Sequence, residues 1–319
     1  MRKNRGCNRE KRTKEVLFLT LLILGIGLLG GALSYAQQQE EKLPQNAILL
    51  YEKKYESEVK QVVLREDGNL KAVATAKKVI FYGDKGEVIN EIPLKVVPRS
   101  KSAEGVDEEA QLSPNGEYAL IESVVIEFEW DMSYVDTKGK VLWKREKVYG
   151  YAVISPDGQY IVIVGREGRI EFLNKIGKVL SITEYEAEPW GTRKGIFSGD
   201  GNYFALVLEK TATAEAHKLI FFTKNGIVLW EHKLEARPVD IKVSYAGRAV
   251  IWLATKEGGI AFLFNKEGAL IKQMQGMTRT IWDRLTFSPG GDLLTEAIPE
   301  RHFSSKIKGS RLTVYEVLP

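Results

Sequence analysis

Cysteine is almost absent from this chain of 319 residues. The one present, Cys7, lies ahead of an apolar run near the N-terminus. The body beyond it can form no internal disulfide and offers no thiolate to a metal or a substrate. Histidine is nearly as scarce: His217, His232 and His302 are the three, and none is spaced from another as a metal pair, so no metal site is expected. No G-x-S-x-G elbow occurs. Ser305-Lys306-Ile307-Lys308 matches S-x-x-K, but the motifs that accompany a serine nucleophile are missing. No catalytic residue is assigned, and no cofactor is expected.

A strong charge of one sign is lacking too, although the formal net charge of +4 suggests otherwise. Residues 1–36 carry seven of the 46 basic residues and two of the 42 acidic ones, leaving 39 basic against 40 acidic in the rest. A near-neutral body gives no electrostatic case for nucleic acid or for an anionic membrane surface.

The imbalance at the N-terminus has its own reading. A basic head from Arg2 to Lys14 precedes the uncharged run VLFLTLLILGIGLL, Val16 to Leu29, and small residues follow at Ser34 and Ala36. This is the order of a secretory signal peptide, cut after Ala36. The stretch 16–36 is also long enough to serve as an uncleaved membrane anchor. Either way the basic flank stays inside, and the body is expected outside the cytoplasm, periplasmic or extracellular. Residues 37–44 read as a short polar linker.

What the body has is repetition. Turns ending in Gly68, Gly116, Gly158, Gly201, Gly247 and Gly291 follow one another at intervals of 42 to 48 residues. The best-formed is Ser155-Pro156-Asp157-Gly158, where proline presets φ and glycine accepts a positive one. Runs rich in Val, Ile, Tyr and Phe flank each turn and read as strands. A second glycine turn follows in each of the first five units, at Gly86, Gly139, Gly177, Gly226 and Gly268, again between apolar runs. Four antiparallel strands per unit of this length predict the blade of a β-propeller. The expected fold is all-β: six four-stranded antiparallel blades over residues 45–319. The sixth unit has three strands, and Asn46–Tyr51, which aligns with Asn225–Trp230, is expected to supply its fourth and close the ring.

SPDGQY followed by IEFLN resembles the WD40-type propeller repeat. YVDTKGKVLW and FTKNGIVLW resemble the repeats of PQQ-type propellers, in which the chain turns at a glycine and docks a tryptophan between blades. That tryptophan stands here at Trp143 and Trp230, while Ser181, Lys272 and Tyr51 occupy the equivalent places. The resemblance implies the fold, and the uneven retention of tryptophan resembles non-enzymatic members. Asp136-Thr137-Lys138-Gly139 departs from the spacing of the quinone-binding motif, so no quinone is expected.

Candidate binding residues are sought in the loops, where rigid scaffolds carry function. The long connections 96–110, 185–195, 208–218, 275–284 and 298–311 bring Trp190, Arg193, Trp282, Asp283, Arg284, Arg301 and His302 toward one face. Tryptophan and arginine are enriched in binding hot spots. The blade-2 carboxylates Glu122, Glu127, Glu129 and Asp131 are read as a solvated strand face, since calcium ligands converge from a turn.

The function expected is an exported, non-enzymatic propeller, monomeric in its body, that binds another protein or a glycan through its loop face. It has no nucleic-acid partner, and the membrane is involved only through an uncleaved N-terminal segment. The alternative is a six-bladed hydrolase or lactonase-like enzyme with a metal at the channel mouth, for which the first strands offer Glu109, Asp240 and Asp283. A propeller holding a redox cofactor is a third possibility.

Overall fold

The computed structural model describes residues 53–66, 68–95, 108–126, 129–165, 168–185, 190–210, 217–255, 258–279, 282, 285–287, 293–301 and 307–316. All strands fall within one compact unit, Tyr55–Pro319. The first blade comprises β1 (Val59–Leu64), β2 (Leu70–Thr75), β3 (Lys78–Tyr82) and β4 (Val88–Pro93). The second comprises β5 (Glu108–Leu112), β6 (Tyr118–Ile126), β7 (Glu129–Asp136) and the first part of β8 (Val141–Ile154). The rest of β8 opens the third blade, with β9 (Tyr160–Gly165), β10 (Arg169–Asn174) and β11 (Val179–Glu184). Blade 4 holds β12 (Trp190–Phe197), β13 (Tyr203–Lys210), β14 (His217–Thr223) and β15 (Val228–Leu234). Blade 5 holds β16 (Arg237–Val243), β17 (Ala249–Thr255), β18 (Gly258–Phe264) and β19 (Leu270–Met277). The last sheet has three strands, β20 (Thr286–Phe287), β21 (Leu293–Arg301) and β22 (Ile307–Glu316). Each sheet is an antiparallel meander of strands in chain order, so the repeat is that of a β-propeller. The expected closing strand, 46–51, lies outside the described residues.

Blades 2, 3 and 4 solve the same hydrogen-bonding problem at their first turns. Ser113, Ser155 and Ser198 are fully buried at the first turns. Their hydroxyls donate to Asn115, Asp157 and Asp200 at 2.5–2.7 Å, and accept the amides of Tyr118, Tyr160 and Tyr203 at 2.9–3.0 Å. A buried hydroxyl is thereby satisfied as donor and as acceptor. The glycine that follows sits at φ +68° to +70°. The turn carboxylates are engaged within their own turns and are not placed to hold a ligand.

The second turns do the packing. Asp136 accepts the amides of Lys138 and Lys140, each at 2.9 Å, in an Asx turn that ends at Gly139. Gly177, at φ +79°, leaves its missing side chain's volume to the preceding blade: a Cβ there would lie 2.7 Å from that of Trp143. Trp230 covers Gly268 in the same way, and its indole N–H donates to the Lys266 carbonyl at 2.9 Å. The tryptophan docking implied by the resemblance is present at both positions.

Hydrophobic cores consequently lie between successive blades. Phe81 and Val79 meet Leu112 and Ala119; Tyr134 and Trp143 meet Ile154 and Ile161; Phe172 meets Phe204 and Phe222; Phe221 meets Ile241 and Phe264. Each fully buried phenylalanine contributes roughly 1.5–3 kcal/mol of burial free energy. Polar side chains on the first strands add links to the next blade. Gln61 exchanges two hydrogen bonds with the Leu112 backbone, at 2.8 and 3.2 Å. Lys242 donates to the carbonyls of Trp282 and Leu285 at 2.6 and 2.7 Å.

Candidate functional site

Within a meander the first and third strands run the same way. Both glycine turns of a blade therefore lie at one end, where the Lys224 amide donates to the Asn202 carbonyl at 2.8 Å. The connections between blades, and those joining second to third strands, lie at the other end. This loop end is where the regular pattern is released.

The loop-end residues expected to form one surface are distributed as follows. Trp190 opens β12 opposite Lys210, and Arg193 sits in the register shift between Thr192 and Lys194 on the same strand. Arg301 ends β21 opposite Ile307. Asp283, Arg284 and His302 lie outside the described residues. Trp282 is not a surface residue at all: it is fully buried, its ring centroid 5.8 Å from that of Trp252. Its indole N–H donates to Asp240 at 2.8 Å, and Lys242 lies 5.1 Å above its ring. A tryptophan holding both a core contact and a carboxylate is an anchor for its segment, and it cannot also reach a partner.

Asp240 is likewise committed. It bonds the Lys194 ammonium, the Trp282 indole and the Ile241 amide. Burial opposes its ionisation, but these three donors outweigh burial and hold its carboxyl below the usual range. A carboxylate so saturated is a poor metal ligand. Glu109 is exposed and pairs across the sheet with Glu122. Burial, helped by the Glu109 charge, pushes Glu122 up to about 7. Asp131 accepts the Lys147 amide at 3.0 Å. Among the described residues no group of three or more His, Cys, Asp or Glu is arranged to hold a metal. His217 is buried in β14, and His232 lies 5.0 Å from the Phe264 ring.

One loop-end feature was not anticipated. Between blades 2 and 3 there is no loop: β8 leaves one blade and enters the next as a single strand of 14 residues. Tyr149 still pairs with Glu129 of blade 2, and Gly150 already pairs with Gly165 of blade 3. At Gly150 a Cβ would collide with the Val164 carbonyl, so the crossing requires glycine. Just before it, Lys147 adopts φ +53°, the one non-glycine residue with positive φ among the described residues.

The crossing leaves a cleft of about 300 Å³ lined by Arg145, Lys147, Tyr149, Ile163, Arg169 and Glu171, among others. Glu171 receives Arg145 at 2.6 Å and Arg169 at 2.8 Å, and Arg169 also reaches Glu184 at 2.8 Å. Burial raises the Glu171 pKa, but the two guanidinium groups overcome this and the net shift is downward. Tyr149 is 41% exposed. The uninterrupted run VLWKREKVYGYAVIS was the sequence signal for this feature, since it lacks the turn residues that separate other blades. A second cleft, about 400 Å³, opens at the turn end between blades 1 and 2. There Arg65 is tied to Asp84 at 2.6 Å and Lys71 to Glu117 at 3.4 Å.

No protein-family sequence model matches the chain, and no curated protein matches it in sequence. Solved structures do align with it. Hydrazine synthase of Kuenenia stuttgartiensis aligns over 86% of this chain and 80% of its own, with 13% identity and a TM-score of 0.46. The Dos1 propeller aligns over 81% and 68%, with 13% identity and a TM-score of 0.48. A eukaryotic initiation factor aligns over 88% and 77%, with 12% identity and a TM-score of 0.48. Likeness at this level brings no activity with it. The propeller assignment stands on the strand order and the repeated turns described above.

Proposed function

We propose that this chain is an exported, non-enzymatic β-propeller scaffold that binds another protein or a glycan through its loop end. The observation that carries this reading is the contrast between the ends. At the turn end the recurrent carboxylates are consumed by their own turns. The cleft at that end, between blades 1 and 2, is bounded by the regular turns, whereas at the other end β8 departs from the repeat and its crossing opens a charged cleft beside the exposed Tyr149, on strands held rigid by interblade cores. Export follows from the basic head and apolar run of residues 1–36. N-terminal sequencing of protein recovered from the producing cell distinguishes a cut after Ala36 from an intact anchor.

The test of the binding reading is an inventory followed by a capture. Elemental analysis and an absorption spectrum of the purified protein should show no stoichiometric metal and no chromophore. Cross-linking in the native envelope should then trap a partner through loop-end residues. A stoichiometric metal or a chromophore would sink the scaffold reading. The hydrolase or lactonase-like alternative is favoured by one feature, the cross-strand Glu109–Glu122 pair, because paired carboxylates with a raised pKa suit acid–base work.

A further inference from the structure

We propose that the cleft at the loop end of the blade 2–3 seam binds a neutral saccharide. This rests on the loop-end binding reading and names the ligand class for one part of that surface. Arg145, Lys147 and Arg169 supply cationic donors; Glu146 and Glu171 supply anionic acceptors, and Glu184 closes on Arg169. The charges cancel. A bound anion would have to displace a carboxylate that both arginines already hold. A bound cation would meet the same two guanidinium groups. A wholly apolar ligand would strip water from the charged rim without replacing its hydrogen bonds.

A sugar meets each of these conditions. It is uncharged, every hydroxyl both donates and accepts, and one face of its ring presents C–H groups. Fixed planar donors and acceptors match the hydroxyls. The half-exposed Tyr149 ring and the side chains of Val148 and Ile163 supply an apolar wall. The volume is at the lower end of the range for small-molecule clefts and suits one or two sugar units. The backbone is specialised at this place as well. Lys147 is held in a left-handed conformation by the bond from its amide to Asp131, and this bulge turns residues 145–149 along the cleft wall.

The test uses the full chain in a detergent without a sugar headgroup. Cellotriose, mannotriose and chitotriose serve as neutral probes, with inorganic phosphate and acetate as anionic ones. Binding is read by saturation-transfer NMR and titration calorimetry. At least one trisaccharide is expected to bind, and Tyr149→Ala to weaken it about tenfold or more. Arg169→Gln should also weaken it, whereas Tyr245→Ala, which alters an exposed turn-end tyrosine, should leave it unchanged. The proposal is overturned if no trisaccharide binds, if the affinity survives both cleft variants, or if phosphate or acetate alone binds. A chain that takes up no sugar yet captures a protein through its loop end overturns this assignment and leaves the scaffold reading standing.

Discussion

The seam between blades 2 and 3 and the region where blades 4 and 5 meet the segment before blade 6 are built alike at the turn end and differently elsewhere. At the turn end each has a tryptophan over a glycine, Trp143 on Gly177 and Trp230 on Gly268. Each also has a stacked aromatic pair, Tyr134 with Trp143 and Phe221 with Trp230. Away from that end, blades 2 and 3 share one continuous strand and leave an open charged cleft. On blade 5 the comparable polar group, Asp240, is covered by the chain's own Trp282. The difference shows how a repeat protein separates stability from recognition. Packing positions recur because every blade must bury the same face, while positions outside that face are free to be filled or left open.

The largest expected effect tests the likeness. Trp143→Ala and Trp230→Ala should each destabilise by about 3–5 kcal/mol, as large aromatic deletions from packed sites do. Equilibrium denaturation should return similar values for the two. A large excess for Trp230 would mean that its bond to Lys266 distinguishes the seams. Gly177→Ala should cost about 3 kcal/mol, combining a left-handed backbone with overpacking against Trp143. Gly86→Ala has the same positive φ but open space around its Cβ. It should cost about 1–2 kcal/mol, the backbone part alone.

The third prediction concerns blade 2. Glu122 has a folded pKa of about 7, above its ordinary 4.5. It therefore binds its proton more tightly in the folded state, and its stabilising contribution is present at low pH and lost as pH rises through about 7. Glu122→Gln should raise stability at pH 8 by on the order of 2 kcal/mol and change it little near pH 4. Denaturation curves at the two pH values check the sign, and an unchanged difference between them would remove Glu122 as the titrating group.

The smallest effects test the unlike parts. Asp240→Asn removes the charge facing Lys194 while keeping an acceptor for the Trp282 indole, and should cost about 1–2 kcal/mol. It should also blue-shift or red-shift the Trp282 fluorescence measurably, since the indole loses an ionic partner. Glu171→Gln in the open cleft should cost about 1 kcal/mol or less, because solvent can replace much of what Arg169 loses. If Glu171→Gln proves the costlier, the cleft serves the fold more than a ligand.

Much of this architecture is legible in the sequence. The glycine turns mark both hairpins of blades 1 to 5, and the runs of β-branched and aromatic residues mark the strands between them. Trp143 and Trp230 were legible as interblade residues through the repeat they resemble. The loop end was harder. Trp282 reads as a surface residue because it lies in a long interblade connection, yet it is buried. Its neighbours Asp240 and Lys242 stand some forty residues earlier, so no local pattern could pair them with it. The cleft at Arg145, Tyr149 and Glu171 was missed because it comes from the absence of a loop.

The sequence by itself determined the repeat: the turn positions, the four strands of blades 1 to 5 and the serine that opens the first turn of blades 2 to 5. These depend on backbone geometry and short-range hydrogen bonds, which a few adjacent residues specify. Only the tertiary structure decided which polar residues are engaged and which stay open. Whether a carboxylate meets a lysine, an indole or solvent depends on strands from different blades, and that choice is set by packing over distances the chain pattern does not encode.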